Sequence, residues 1–421
     1  MLPEKMKSIC FTVSAPRWVA SKALAPIWPG VYLSRINGLR LREIPVPALP
    51  ADDWVLCQTL LGGVCGTDVS MVFLRQHPAS LLKHFTSWPV SLGHENVARI
   101  VKIGPGVKNL AVGQRILVDP PITCAARHID PVCPACREGR PSTCWNVDRG
   151  SLPPALGLGY NNFTGGSWSP YFTAHTSQVH TLPDDIPDEQ AILIDPLACS
   201  LHAVLQDPPS KSEKIVIFGA GTIGMGVLLA LRALDITADV TVIVRRQSQA
   251  DLAQRCGANH TVFWTPDRLS TAIQELADIT NARGIEMFYK MRFLQGGFDR
   301  LYDCTGKVAA LADAQRLLHS GAKVVLAGTP QLGLADMTCF WFRELKITGA
   351  TGRAIEPLPG QATPQHGYRH VINLIRQNKL DLSSFTVRRY SQSEYTQALK
   401  EAAGPSRLSL TKVAFDFRTD S

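Results

Sequence analysis

The chain has 421 residues, 45% of them hydrophobic, which is material for two to three domains at about 150 residues each. Its 32 Gly and 29 Pro are ordinary usage and exclude collagen-like or broadly disordered chains, and eleven cysteines are too sparse for a disulfide scaffold. The net charge of +8 is dispersed: residues 343–400 hold nine basic and four acidic side chains with no long like-charge run, so neither a nucleic-acid nor a membrane partner is expected.

The first ten residues, MLPEKMKSIC, carry charges but no apolar signal core, which leads to the expectation of a cytoplasmic protein. Up to about residue 120 the pattern is one of short β-like runs, WVLCQTLL (54–61), ENVARIVKIG (95–104) and GQRILVDP (113–120), and predicts an all-β module. The proline-punctuated stretch 11–45 reads as a long hairpin or surface excursion. Residues 121–170 have little periodicity but contain four of the cysteines within 21 residues. Cys133-x2-Cys136-x7-Cys144, preceded by Cys124, is a spacing at which thiolates can converge tetrahedrally on Zn2+ and order a lobe poor in apolar residues. Asp130, just before the CxxC pair, competes with Cys124 for the remaining position. A second set is scattered: Cys65 in GGVCGTD, His94 and Glu95 in SLGHEN, and Asp195 in LIDPLACS. A Cys, a His and a carboxylate leave a catalytic zinc one open position, where the metal acts as a Lewis acid on an alcohol or carbonyl oxygen.

From Lys214 the texture alternates. KIVIF, a helix near 222–234, VTVIV (240–244), helices near 248–256 and 268–280, RLYDC (300–304), a helix near 307–319 and AKVVLAG (322–328) predict βαβ units and a parallel sheet. Further helices are expected near 367–378 and 392–403. The uncharged run between Lys214 and Arg232 borders the length of a membrane span, but its glycines mark a strand, a turn and a helix instead. In Phe218-Gly219-Ala220-Gly221-Thr222-Ile223-Gly224, the first glycine allows the tight turn. The second lets backbone approach a pyrophosphate, and the third lets the helix pack on the strand. The helix N-terminus offers N–H groups and a favourable dipole to phosphate. Where a carboxylate would accept the adenosine ribose hydroxyls, the second strand runs into Arg245 and Arg246. Two guanidiniums suit a 2′-phosphate, so NADP(H) is expected over NAD(H).

Taken in order, GGVCGTD, GHE, the cysteine lobe, DPLACSLHAV, FGAGTIG, DCTG and VLAGT resemble the zinc-containing medium-chain dehydrogenases, the superfamily of alcohol, sorbitol and threonine dehydrogenases. The resemblance implies an α/β protein: a GroES-like β-rich catalytic domain with an inserted Rossmann domain, a doubly wound parallel sheet. The expected divisions are 1–197 with the structural-zinc lobe at about 121–150, then 198–350 for the cofactor, and 351–421 returning to the catalytic domain. It also implies Cys65 and His94 as catalytic-zinc ligands, with Glu95 or Asp195 as the carboxylate. Thr67 becomes the hydroxyl that relays the substrate proton, Thr305 and Gly306 the turn beside the cofactor, and Cys124, measured from the preceding strand, the first ligand of the lobe. A homodimer or homotetramer is implied in the same way.

The chain departs from the family pattern in five places. Ser70 stands where the classical alcohol dehydrogenases end their proton relay with histidine, Ala98 replaces a common glycine, AARHIDPV is inserted between Cys124 and Cys133, and segments 11–45 and 284–298 are longer. The expected activity is zinc-dependent hydride transfer between NADP(H) and an alcohol, ketone or aldehyde. Two alternatives are conjugate reduction of an enone or enal on the same fold, and a non-enzymatic NADPH-binding sensor.

Overall fold

The strand Trp54–Gly63 is buried along nearly its whole length because it has partners on both edges. It lies at the centre of a seven-stranded sheet whose order is Val387–Tyr390, Lys412–Asp416, Trp54–Gly63, Glu95–Ile103, Arg115–Val118 and Val179–Thr181, with Tyr171–His175 pairing onto its first half. In this computed structural model residues 2–286, 292–404 and 412–418 are described. The chain divides into two compact units, Met1–Asp195 with Thr386–Ser421, and Pro196–Phe385.

In the first unit a smaller sheet, Arg40–Pro45, Lys5–Phe11 and Val90–Ser91, closes over a core that includes Ile9, Phe11, Leu92, Trp168 and Phe415. The stretch read as a hairpin is an antiparallel pair, Lys5–Phe11 with Arg40–Pro45, whose connection contains the helix Ala15–Leu24 and a short 3-10 turn at Pro29–Leu33. Pro16 sits in the first turn of that helix, where a missing N–H costs nothing, so it marks a helix start and not a loop. The cysteine lobe has only the short helix Pro134–Arg137 and a 3-10 turn at Pro141–Thr143. Its irregular backbone is gathered around Arg127, which is fully buried and donates to the carbonyls of Ile122, Arg149, Leu152, Pro153 and Ala155.

The second unit is built on a six-stranded parallel sheet ordered His260–Phe263, Asp239–Val244, Lys214–Phe218, Phe298–Asp303, Leu318–Leu326 and Lys346–Gly349. Chain order runs outward in both directions from Lys214–Phe218, which is the doubly wound arrangement; its ligand crevice lies at the carboxyl ends of the strands where the order reverses. The helix expected at 307–319 stops at Ala314, because Leu318 already begins the next strand. The unit runs to Phe385 where 350 was expected, and its last part holds the helix Gly367–Arg376. Gly367 there packs on Ala198 and Arg353 with no room for a side chain to spare. Part of the long 284–298 segment forms the hairpin Arg283–Glu286 with Arg292–Gln295, and residues 287–291 lie outside the described residues. Among the described residues no helix is long and apolar enough to cross a membrane.

Candidate metal and cofactor sites

Cys65 leaves the central strand in extended conformation and caps the short helix Gly66–Val72. Asp68, one turn in, closes the cap: its Oδ2 accepts from the Cys65 backbone N–H at 3.0 Å, while its Oδ1 lies 3.2 Å from Nδ1 of His94. One buried carboxylate thus orients both residues. A carboxylate beside Nδ1, here an ion-pair contact without a well-formed hydrogen bond, favours the tautomer that leaves Nε2 as the metal-binding nitrogen. Burial works against a charged His94, but Asp68, Tyr160 and Cys65 together more than offset it, raising the imidazole pKa well above its ordinary value. Ligand atoms of Cys65, His94 and Glu95 lie within 4.8 Å of one another.

The backbone register explains how Glu95 arrives. Glu95 is paired with Gly63, and on the other side of the same strand Gly63 is paired with Ala414, two residues beyond Lys412. Glu95 and Lys412 form a buried ion pair across that glycine, each almost sealed from solvent. A Cβ at Gly63 would stand 2.5 Å from the Glu95 carboxylate and 3.0 Å from Lys412 Cε, so the pair requires glycine there. Burial raises the Glu95 pKa, Lys412 pulls it back, and the charge of Asp195 adds to the rise. Asp195 itself, buried in the first turn of the helix Ile194–Leu205, is not part of the three-residue cluster. Thr67 Oγ1 is buried without a well-formed hydrogen bond, and its neighbour is the phenol of Tyr160, pushed up to about 12 mainly by burial. The Tyr160 ring also leans on His94, with centroids 5.6 Å apart. Ser70 is buried within the helix.

In the lobe, the sulfurs of Cys124, Cys133, Cys136 and Cys144 form one cluster, and Asp130 is exposed outside it. Sulfur separations of 3.6 Å (Cys124 to Cys144) and 3.9 Å (Cys133 to Cys144) match the edge of about 3.8 Å expected for a tetrahedron of Zn–S bonds near 2.3 Å. Backbone N–H groups of Cys133, Trp145 and Asn146 point at these sulfurs at 3.4 Å, an arrangement that favours thiolate. The donor set and its spacing fit zinc.

The glycine turn of the second unit can also be tested for fit. Gly219 has φ +113°, a left-handed conformation that favours glycine, and Gly224 would drive a Cβ to 1.9 Å from the Gly219 carbonyl. Gly221 is different: a Cβ there meets nothing within 4 Å, so the open backbone before Thr222 and Ile223 is space a pyrophosphate can use. Thr305, beside the turn, is fixed by its N–H and hydroxyl on Asp303 at 2.9 and 2.7 Å. Arg245 and Arg246 are both exposed at the end of Asp239–Val244. Gln249 ties them to the glycine turn, its Oε1 accepting from Arg245 N–H at 2.9 Å and its Nε2 donating to the Ala220 carbonyl at 3.2 Å.

Residues 51–184 match the family model of the alcohol dehydrogenase GroES-like domain, and residues 222–377 match that of the zinc-binding dehydrogenase. The chain belongs to the zinc-containing medium-chain dehydrogenase superfamily. It is an oxidoreductase of the zinc-dependent alcohol dehydrogenase family. Among this dehydrogenase's curated relatives are a sorbitol dehydrogenase of Bacillus subtilis, 26% identical over 69% of this chain and 72% of that one, and a D-xylulose reductase of Saccharomyces cerevisiae, 24% identical over 89% and 93%. Among solved structures, an acetophenone reductase from Geotrichum candidum in complex with NAD covers all of both chains with TM-score 0.72 at 18% identity, a likeness of fold. Four residues that hold this dehydrogenase's sites together carried no assigned role in the sequence: Asp68, Tyr160, Gln249 and Lys412. Asp68 is visible in GGVCGTD three positions after the cysteine, the offset of a helix cap, and could have been read there. The others depend on contacts between distant segments.

Proposed function

We propose that this dehydrogenase transfers hydride between NADP(H) and an alcohol, or the ketone or aldehyde it yields. In this reading Cys65, His94 and Glu95 hold the catalytic zinc, and Cys124, Cys133, Cys136 and Cys144 hold a structural one. The observation that carries it is the convergence of the Cys65, His94 and Glu95 ligand atoms within 4.8 Å on a scaffold oriented by Asp68. When bound, the catalytic zinc supplies a Lewis acid that polarises the substrate oxygen and lowers the effective pKa of an alcohol. Asp68 keeps the His94 proton on Nδ1. Lys412 balances the Glu95 charge, and Glu95, in preference to Asp195, offers the carboxylate oxygen. Thr67 Oγ1, buried and without a well-formed protein hydrogen bond, takes or returns the substrate proton. Gly219, Gly221, Thr222, Ile223 and Gly224 receive the dinucleotide phosphates, with Thr305 alongside.

The curated relatives named for sorbitol and xylulose favour a polyol or other secondary alcohol as substrate. A spectrophotometric panel of alcohols and carbonyls with NADP(H), run beside Cys65→Ala, tests the reading. Because Lewis-acid stabilisation is worth several kcal/mol, Cys65→Ala should lose roughly 1,000-fold or more in kcat/KM. Equal rates in the two proteins would remove zinc from the reaction.

The NADP(H) preference rests on Arg245 and Arg246. Charge-assisted hydrogen bonds contribute about 1.5–3 kcal/mol, so Arg245→Ala combined with Arg246→Ala should raise KM for NADPH roughly 10- to 100-fold and leave KM for NADH within a few-fold. An unchanged KM for NADPH would show that the guanidiniums do not grip a 2′-phosphate.

A further inference from the structure

The insertion AARHIDPV between Cys124 and Cys133 has no part in the sites above, yet it places a side chain with care. Arg127 of this insertion turns inward and is consumed by five carbonyls, whereas the next residue, His128, adopts φ +52° and faces outward. Its Nε2 lies 3.0 Å from Oδ2 of Asp53, and the same Oδ2 is 3.0 Å from Nε2 of His175. The three residues come from three separate segments. Asp53 precedes the central strand, His175 ends the strand Tyr171–His175, and the antiparallel register pairing Trp54 with His175 sets the latter beside Asp53. Their donor atoms all lie within 4.8 Å of one another.

We propose that Asp53, His128 and His175 form a third divalent-metal site, for Zn2+ or a similar borderline cation, that fastens the inserted loop to the sheet. Two imidazoles and one carboxylate are a donor set for zinc and its neighbours; magnesium and calcium take six or more oxygens. Both imidazole nitrogens lie 3.0 Å from the same Asp53 oxygen, within about 0.4 Å of the tetrahedral edge for bonds near 2.1 Å, and all three donor atoms fall within 4.8 Å of one another. His175 is nearly sealed on one side by the edge of the Trp54 ring, whereas His128 and Asp53 keep solvent access through which an ion can enter and water can fill the remaining position. The His175 ring can make the needed proton change locally. Its Nδ1 now accepts from the Ser177 N–H at 3.1 Å; ligation through Nε2 moves the ring proton to Nδ1, which breaks that bond and leaves the proton to be donated to Ser177 Oγ, 2.7 Å away.

The test is metal stoichiometry in the full-length holoenzyme, with no dependence on turnover. Zinc-replete wild type, His128→Asn and Asp53→Asn are titrated with Co2+, and bound metal is counted by mass spectrometry after gel filtration. Asparagine tolerates the left-handed backbone at position 128, and Asp53→Asn keeps the shape of the carboxylate, so both variants retain the fold. Wild type is expected to take up one equivalent more than either variant, with a rise in Tm on metal addition that the variants lack. Identical stoichiometry in all three proteins would overturn the site and leave the cluster a metal-free ion pair.

Discussion

Cys136→Ser is expected to release about one zinc per chain and to expose the lobe 121–150 to trypsin. The physical reason lies in what the lobe has for a core. Its buried cluster is Cys124, Cys133, Ala135, Cys144 and Val147, so three of the five residues are the thiols themselves. Without a cation this is little apolar surface to offset the chain entropy of an irregular lobe; a structural zinc would supply that free energy, with apparent values of about 10–16 kcal/mol in small zinc domains. Arg137 and Arg149 are already exposed, whereas Arg140, followed by Pro141, is not a trypsin site. Cleavage after Arg137 or Arg149 therefore reports local unfolding of the backbone. Wild type should resist trypsin under conditions in which Cys136→Ser is cut within 121–150, and zinc analysis should show the missing equivalent. Unchanged zinc content together with unchanged resistance would mean that the four thiols order the lobe without metal.

In protein stripped of the catalytic zinc, where Lys412 is the cation paired with Glu95, Lys412→Met is expected to destabilise the fold by about 3–5 kcal/mol, the cost of leaving a buried carboxylate without its counter-charge. At roughly 2–4 °C per kcal/mol for units of this size, Tm should fall on the order of 10 °C. The loss should be largely recovered by adding Glu95→Gln, since removing both charges of a buried pair is often close to neutral whereas removing one is not. Gly63→Ala should act like the single variant, because its Cβ would enter the space the pair occupies. A Lys412→Met protein as stable as wild type, or one not rescued by Glu95→Gln, would show that the pair does not balance charge at this site.

The parts of the molecule legible in the sequence are those fixed by neighbours in the chain. The turn from Phe218 to Gly224 was readable because strand, glycines and helix are consecutive, and the parallel sheet around it followed from the alternation of β and helical segments. Cys65 and His94-Glu95 were readable as short motifs. Lys412 was not, because its role comes from three adjacent strands whose middle member carries Gly63, and nothing in the local text at residue 412 announces a partner at residue 95. The stretch 11–45 reads as a long hairpin and its strands do pair; what is not legible is the helix Ala15–Leu24 in the connection, because Pro16 in its first turn has the look of loop punctuation.

The proposed activity is hydride transfer to a carbonyl carbon, with Cys65, His94 and Glu95 as the residues that would hold a zinc and the zinc as the Lewis acid it would supply. The most direct measurement supplies an α,β-unsaturated ketone together with NADPH deuterated on the hydride-donating carbon of the nicotinamide, and locates the label in the product by NMR. Deuterium on the carbinol carbon of an allylic alcohol is the predicted result, because Lewis-acid polarisation of the oxygen directs hydride to the carbonyl carbon. Deuterium on the β-carbon of a saturated ketone would contradict it.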